Sequence, residues 1–253
     1  MPIIGQSTDL EQHALPSGSF GYSAARLDDL GATEYTLVTI VQDVSGSVGG
    51  FRDDMEACLK EVVQACKMSP RADNLMIRLV AFHSQLEEIH GYKLLEQCNL
   101  DDYSGCLQCG GTTALFDAAE TSVLAASHYA KQLVDNDFQV NGIVVVITDG
   151  EDNSSISDEN AVKATFDAAL KTEALESLVS ILIGVGVGSS GGSLSSYLQQ
   201  FKDGAGFTKY EEIAQADAKS LAKLAEFISK SISAQSQALG TGGPSVPPPS
   251  LSI

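Results

Sequence analysis

Oxygen-bearing side chains gather in three short segments of this sequence, at positions where a metal site can form. The side chains are those of Asp43, Ser45, Ser47, Thr112, Thr113 and Asp149. The first three follow the β-branched run Leu37–Val41, and the aspartate at 149 follows the apolar run Gly142–Thr148 (GIVVVIT). The threonine pair comes directly after two glycines. Each segment alone is also typical of an ordinary turn, so the interest lies in the combination.

The chemistry of these groups suits a hard divalent cation. Mg²⁺ prefers about six oxygen ligands, releases its waters reluctantly and is usually held by one or two carboxylates. Hydroxyls of Ser45, Ser47 and one threonine are neutral direct ligands, and the aspartates can act directly or through water. Mostly neutral inner ligands leave such an ion electrophilic, with a free position that an incoming carboxylate can fill.

Buried strands must place the three segments together. Short, β-branched apolar runs predict strands covered on both faces. They lie at residues 35–43, 75–82, 142–148 and 178–187, with shorter or weaker ones at 85–95 and 207–210. Because ligands bind beyond the carboxyl ends of parallel strands, where strand order reverses, neighbouring strands ending in Asp43 and Asp149 would flank one crevice.

Helices are predicted between these strands, which indicates a mostly parallel sheet covered on both faces. Apolar residues at helical spacing place four of them at 50–68, 115–133, 194–201 and 217–232, and the N-cap pattern at 157–159 starts another. Asp217 is the predicted N-cap of the last one, and Ser157 or Asp158 that of the third. The resulting fold class is α/β, Rossmann-like and doubly wound.

One domain with two extensions accounts for the length of 253 residues. Residues 1–34 form a predicted N-terminal extension without clear periodicity, and residues 35–238 form the domain. Residues 239–253 are a Gly/Pro/Ser-rich tail that we expect to be disordered. A docking peptide for a proline-recognising partner is the alternative interpretation of this tail.

The charge balance and the cysteines limit the function classes. Fifteen Lys and Arg against 33 Asp and Glu give a net charge of −18. This charge repels phosphate backbones and anionic membranes, so we expect neither nucleic acid nor membrane as a partner. Five scattered cysteines do not form a disulfide framework, and no signal peptide or membrane-length apolar run is recognisable. We therefore expect a cytoplasmic protein of unknown oligomeric state.

The three segments together resemble a von Willebrand factor type A domain with its metal-ion-dependent adhesion site (MIDAS). The resemblance is carried by DVSGS at 43–47, GGTTALFDA at 110–118 and VITDGEDN at 146–153, and it covers roughly residues 35–235. It implies five parallel strands and one antiparallel edge strand, the run 85–95. This six-stranded sheet would have helices on both faces.

The resemblance also implies a ligand set and a function. By the family pattern the metal ligands are Asp43, Ser45, Ser47, Thr113 and Asp149, with Thr112 the alternative to Thr113. The implied ion is Mg²⁺ or Mn²⁺, and the implied partner is a protein that supplies a Glu or Asp to it. By analogy with other stand-alone members, the chain would be a non-enzymatic adaptor in a larger assembly.

Other functions account for parts of the same pattern. A metal-independent structural subunit of the same fold is the first alternative. A Mg²⁺-dependent phosphotransferase or hydrolase is the second, but no lysine lies near the three segments to neutralise phosphoryl charge. Cys106-x-x-Cys109 is a single pair and does not make a zinc site, and the Gly-rich run 184–192 lacks phosphate-loop spacing. Glu151 and Asp152 are candidates for the rim of the metal site.

Overall fold

An open eight-stranded sheet forms the centre of the computed structural model, which describes residues 10–15, 20–171, 175–242 and 247–251. The strands are β1 (Leu10–Ala14), β2 (Gly21–Ala25), β3 (Glu34–Asp43), β4 (Leu75–Phe82), β5 (Leu86–Leu94), β6 (Gln139–Thr148), β7 (Leu178–Val185) and β8 (Lys209–Ile213). Their order across the sheet is β1-β2-β5-β4-β3-β6-β7-β8.

Strand β3 lies at the point where the chain changes direction within the sheet. It pairs in parallel with β4 on one side and with β6 on the other. The first part of the domain therefore builds outward from β3 to β4 and β5, and the later part builds the opposite way through β6, β7 and β8. The carboxyl ends of β3 and β6 consequently meet at a topological switch point, where open α/β sheets bind ligands.

Five helices cover the two faces of the sheet within the described residues. They are α1 (Arg52–Lys67), α2 (Leu115–Val134), α3 (Glu159–Lys171), α4 (Ser193–Ala205) and α5 (Ala218–Thr241). Helices α1 and α5 share one apolar core with one face of the sheet, and α2, α3 and α4 share a second core with the other face. Because both faces are covered, β3, β4 and β7 are buried almost throughout.

The predicted fold class is confirmed: the sheet is mostly parallel, Rossmann-like and covered by helices on both sides. Each strand and helix predicted from periodicity overlaps an observed one. Most ends differ by a few residues, but α5 continues nine residues beyond its predicted end at 232. Strand β5 runs antiparallel to β4, as expected for the weak run at 85–95. Asp217 caps α5 by accepting from the backbone N–H of Ser220.

The sheet has two more strands than the six expected, because the N-terminal segment adds a hairpin to it. Strands β1 and β2 pair antiparallel, and β2 lies beside β5, so β5 is not the edge strand. Gly91 of β5 makes this possible, since a Cβ there would lie 2.0 Å from the Ser23 carbonyl oxygen. Two strands of five residues without alternating polarity give too weak a pattern for prediction from sequence.

The C-terminal segment differs in part from the predicted disordered tail. Helix α5 continues to Thr241, three residues into that tail, and ends at Gly242 in the left-handed conformation. Beyond it, residues 247–251 contact β8 and α5, and Leu251 packs against the apolar core on that side. The rest of the predicted tail, residues 243–246 and 252–253, lies outside the described residues.

Two further observations concern the cysteines and the lengths of the helices. All five cysteines are free thiols, and Cys58 and Cys66 are buried in the core beneath α1. Among the described residues, no helix combines the length and apolar character needed to cross a membrane.

Candidate metal site

Asp43 forms the floor of the candidate site at the last position of β3. Its side chain is fully buried. One carboxylate oxygen accepts from the backbone N–H of Ser45 at 2.7 Å, and the other accepts from the Thr148 hydroxyl at 2.6 Å. The carboxylate is therefore fixed between the ends of β3 and β6, and it has little freedom to turn away.

The hydroxyls of Ser45 and Ser47 connect this floor to the second strand end. Their two oxygens lie 3.2 Å apart, and the Ser47 hydroxyl donates to an oxygen of Asp149 at 2.9 Å. Ser45 is buried, whereas Ser47 is exposed. The structure thus brings four of the five predicted ligands into one continuous group of oxygen atoms.

Thr113, the fifth predicted ligand, is buried beside the loop that follows β6. Its hydroxyl oxygen would lie 3.5 Å from a Cβ placed on Gly150, the residue after Asp149. Its backbone N–H donates to the Asn153 side chain at 2.8 Å, and its carbonyl accepts from the Asn153 N–H at 3.0 Å. Thr112 is exposed. This placement favours Thr113 over Thr112 as the ligand.

Two supporting residues were missed in the sequence interpretation, Thr148 and Asn153. Thr148 holds the buried carboxylate of Asp43, and Asn153 fixes the backbone of Thr113 on both sides. Both belong to the quoted segment VITDGEDN, so a signal was present in the sequence. Sequence spacing alone could not show which polar side chains face another loop and which face solvent.

Backbone contacts hold the loops of the site against each other. The N–H of Gly110 donates to the carbonyl of Val44 at 2.8 Å, and the N–H of Gly46 donates to the carbonyl of Gly111 at 3.3 Å. Residue 111 needs glycine because its φ is 75°. The two loops therefore position the Thr113 and Ser45 hydroxyls as one unit.

The charges at the site favour a cation. Burial raises the pKa of Asp149 to about 6, and the neighbouring Asp43 carboxylate adds to this shift. Burial also raises the pKa of Asp43, against hydrogen bonds from Thr148 and Ser45 that lower it. In the described part of the chain, no Lys or Arg forms an ion pair with either carboxylate. Two close carboxylates without a basic partner, together with neutral hydroxyls, fit a hard divalent cation.

We expect the free energy of unfolding of the metal-free chain to depend on pH through the ionisation of Asp149. Because its pKa is raised to about 6 in the folded chain, it holds a proton that the unfolded chain has already lost at lower pH. Its contribution is therefore most favourable near pH 4 and is lost as pH rises to 6. Urea unfolding of the wild type and Asp149→Asn in chelator should show the variant gaining relative stability across this window. A constant difference between pH 4 and pH 7 would contradict the shift.

The cysteine pair Cys106 and Cys109 and the Gly-rich run 184–192 were the other candidate sites in the sequence. Burial raises the pKa of Cys106 to about 12, so its thiol is protonated at neutral pH in the metal-free chain. No cluster of three or more His, Cys, Asp or Glu side chains suited to a metal occurs in the described ranges. In the Gly-rich run, Gly184 lies against Tyr210 and Leu198, and Gly188 lies against the backbone of Ala214. These glycines allow close packing.

The two acidic residues after Gly150 have different surroundings. Glu151 is exposed. Asp152 accepts from the hydroxyl of Ser155 in the same loop at 2.5 Å. It also accepts from the backbone N–H of Phe116, in the first turn of α2, at 3.3 Å. Asp152 therefore fixes the loop to α2, whereas the Glu151 side chain is exposed to solvent.

Comparison with known proteins gave matches only among solved structures. No family model matches the sequence, and no curated protein matches it. A minor pilin, PilB from Streptococcus sanguinis, has a TM-score of 0.58 at 16% identity, over 87% of this chain and 66% of that one. A pilus adhesin, SpaC from Lactobacillus rhamnosus GG in its open conformation, has a TM-score of 0.52 at 12% identity, over 90% and 35%.

A third similar structure is proximal thread matrix protein 1 from the mussel byssus. It has a TM-score of 0.50 at 19% identity, over 78% of this chain and 45% of that one. Another structure of the same mussel protein is described with a zinc-occupied MIDAS motif. This chain spans between 35% and 66% of the length of these three proteins. At such low identities the similarity shows the fold alone.

The strand order, the helices on both faces and these neighbours lead to the same conclusion. The neighbours include proteins of the von Willebrand factor A-like class. The chain has an open, mostly parallel Rossmann-like α/β fold, which is consistent with that of von Willebrand factor A-like proteins.

Proposed function

We propose that the chain is a metal-dependent protein-interaction module. A Mg²⁺ or Mn²⁺ ion is held by Asp43, Ser45, Ser47, Thr113 and Asp149, and a partner protein completes its coordination with a Glu or Asp side chain. The observation that carries this proposal is the continuous group of oxygens at the switch point of the sheet. Its links are the 3.2 Å contact between the two serine hydroxyls and the 2.9 Å hydrogen bond to Asp149.

Each residue has a separate role in this proposal. Asp43 is buried and doubly hydrogen-bonded, so it supplies fixed negative charge beneath the ion. The Ser45, Ser47 and Thr113 hydroxyls supply neutral oxygens, and Asp149 supplies a second carboxylate nearer the surface. A bound ion would offer an electrophilic position to a carboxylate oxygen, because most of its inner ligands are neutral. In the metal-free chain, Ser47 satisfies Asp149 by donating a hydrogen bond to it.

The net charge of −18 makes the proposed site selective in which acidic partners it binds. Long-range repulsion disfavours acidic proteins in general, whereas the ion creates one local position that attracts a carboxylate. A pilus adhesin and a minor pilin among the structural neighbours support an interaction role rather than a catalytic one. The cytoplasmic location and the adaptor role inferred from the sequence belong to the proposal as well.

Replacing the two adjacent threonines separately tests the ligand set. We expect Thr113→Ala to weaken Mn²⁺ binding at least about tenfold, because it removes a direct oxygen ligand. Thr112→Ala is the matched control, and its Mn²⁺ affinity should stay within about twofold of the wild type. Isothermal titration calorimetry with Mn²⁺ alone measures both. Equal loss in the two variants, or Mn²⁺ affinity unchanged in Thr113→Ala, would contradict the assignment.

Partner capture then tests the interaction itself. The tagged wild-type chain is used to recover partners from lysate, once in Mg²⁺ and once in chelator. The tagged Ser47→Ala variant is used in the same way in Mg²⁺. We expect chelator and Ser47→Ala to remove the same bound protein. A partner that stays bound under both conditions would favour the metal-independent structural subunit. Phosphatase or nucleotide hydrolysis that is lost in Ser47→Ala would favour the enzyme alternative.

A further inference from the structure

A groove between β8 and α5, far along the chain from the metal ligands, holds the chain's own proline-rich segment. The segment is Pro247–Leu251 (PPPSL). We call this surface the tail groove, and it is lined by Lys209 and Glu211 on β8 and by Lys223, Glu226, Phe227 and Lys230 on α5. Strand β8 is the last strand in the sheet order, so the segment covers the side of the sheet near that edge.

The polar groups of the groove match a segment that is rich in proline. Proline has no backbone N–H, so a run of prolines offers only carbonyl acceptors. The Lys209 ammonium donates to two consecutive carbonyls, that of Pro248 at 3.2 Å and that of Pro249. The next backbone N–H that is used belongs to Leu251, and it donates to the Glu211 carboxylate at 3.2 Å.

The binding groups are fixed in place by the protein itself. Lys209 and Glu211 form an ion pair at 2.9 Å, and their side chains are both about four-fifths buried, with exposures of 20% and 17%. The same ammonium lies 5.6 Å from the centre of the Phe227 ring, which adds a cation–π contact. A donor, an acceptor and an aromatic ring are therefore already arranged for an extended ligand.

The segment lies on this surface with Leu251 against the core, but each of its residues stays partly or fully exposed. None of residues 247–251 is buried, and its polar attachments run through two side chains, Lys209 and Glu211. A cavity of about 130 Å³ remains between α5 and Pro249–Leu251. Few contacts and unfilled space indicate a weak association that depends on the short connection to α5, which ends at Thr241.

We propose that the tail groove is a binding surface for proline-rich segments of other proteins, and that Pro247–Leu251 is its built-in competitor. The recognised segment has consecutive prolines, which favour the extended polyproline II conformation, followed two residues later by an apolar side chain. This role is independent of the metal site, so either proposal can fail without the other.

A labelled peptide corresponding to residues 242–253 tests the groove, with fluorescence anisotropy as the readout. Binding is measured on the full-length chain and on the variant Pro248→Gly/Pro249→Gly/Leu251→Ser, which loosens the internal segment. We expect the variant to bind the peptide at least about tenfold more tightly than the wild type, because tethered competitors act at millimolar effective concentration. Adding Lys209→Met to the variant should weaken binding at least about tenfold, since a charged donor to two carbonyls is lost.

Lys163→Met in the same variant is the matched control, because Lys163 is a half-exposed lysine on α3, which packs on the other face of the sheet. Its peptide affinity should be unchanged, and thermal unfolding of every variant should confirm a folded chain. Equal peptide affinity in the wild type and the loosened variant would overturn the proposal. Peptide affinity unchanged by Lys209→Met would overturn it as well. A concentration-dependent dimer that is lost in the loosened variant would also overturn it, since the segment would then exchange between copies.

Discussion

Asp43→Asn should abolish the stabilisation of the chain by Mg²⁺. A ligand at about one hundred times its dissociation constant stabilises the folded state by about 2.7 kcal/mol, and the wild type should gain this amount. For a chain of this size each kcal/mol corresponds to roughly 2–4 °C in Tm, so the expected rise is roughly 5–10 °C. The variant should show almost none, because an amide supplies no negative charge beneath the ion.

The variant should still fold, which makes the result interpretable. Asp43 is held by the Ser45 N–H and the Thr148 hydroxyl, and that hydroxyl can turn to accept from an amide nitrogen. Differential scanning fluorimetry in Mg²⁺ and in chelator measures the effect. Asp73→Asn is the matched control, since Asp73 is exposed in the turn before β4, at the opposite end of the sheet. A Mg²⁺-dependent rise that survives in Asp43→Asn would contradict the metal-site proposal.

The second large effect should come from Arg78→Met, at the junction between the sheet and the N-terminal hairpin. The Arg78 side chain is 2% exposed and pairs with Glu88 at 2.7 Å. The other oxygen of Glu88 accepts from the Ser23 N–H at 2.8 Å and from its hydroxyl at 2.5 Å. Removing one partner of a largely buried pair costs up to about 3–5 kcal/mol, because the Glu88 carboxylate then loses its opposite charge and keeps only the hydrogen bonds from Ser23.

Urea unfolding measures this loss, and limited trypsin digestion reports whether β1 and β2 detach first. The double variant Arg78→Met/Glu88→Gln removes both charges and should recover part of the lost stability. Thr39 and Tyr92, whose oxygens lie 2.5 Å apart, are left unchanged in both variants. A loss of less than about 1 kcal/mol in Arg78→Met, as for an exposed pair, would show that the hairpin is held by other contacts.

Most of the fold could be predicted from the sequence, because its central strands are buried on both faces. Such strands need continuous apolar, β-branched runs, and β4 and β7 show them directly in LMIRLVAF and LVSILIGV. The N-terminal hairpin could not be predicted in this way. Its position depends on Gly91 and Glu88, which lie more than sixty residues along the chain from Ser23 and are recognisable only when β2 and β5 are adjacent.

The candidate site, like the fold, could be predicted from the sequence only in part. The sequence determined which residue types stand at the ends of β3 and β6 and at the start of α2, and hence which ion chemistry they suit. Only the tertiary structure showed that Thr113 is buried beside Gly150 whereas Thr112 is exposed, and that Thr148 and Asn153 hold Asp43 and Thr113 in place. It also decided that Pro247–Leu251 lies against Lys209. The physical reason is that local periodicity reflects burial, whereas contacts between distant segments depend on which strands and loops become neighbours after folding.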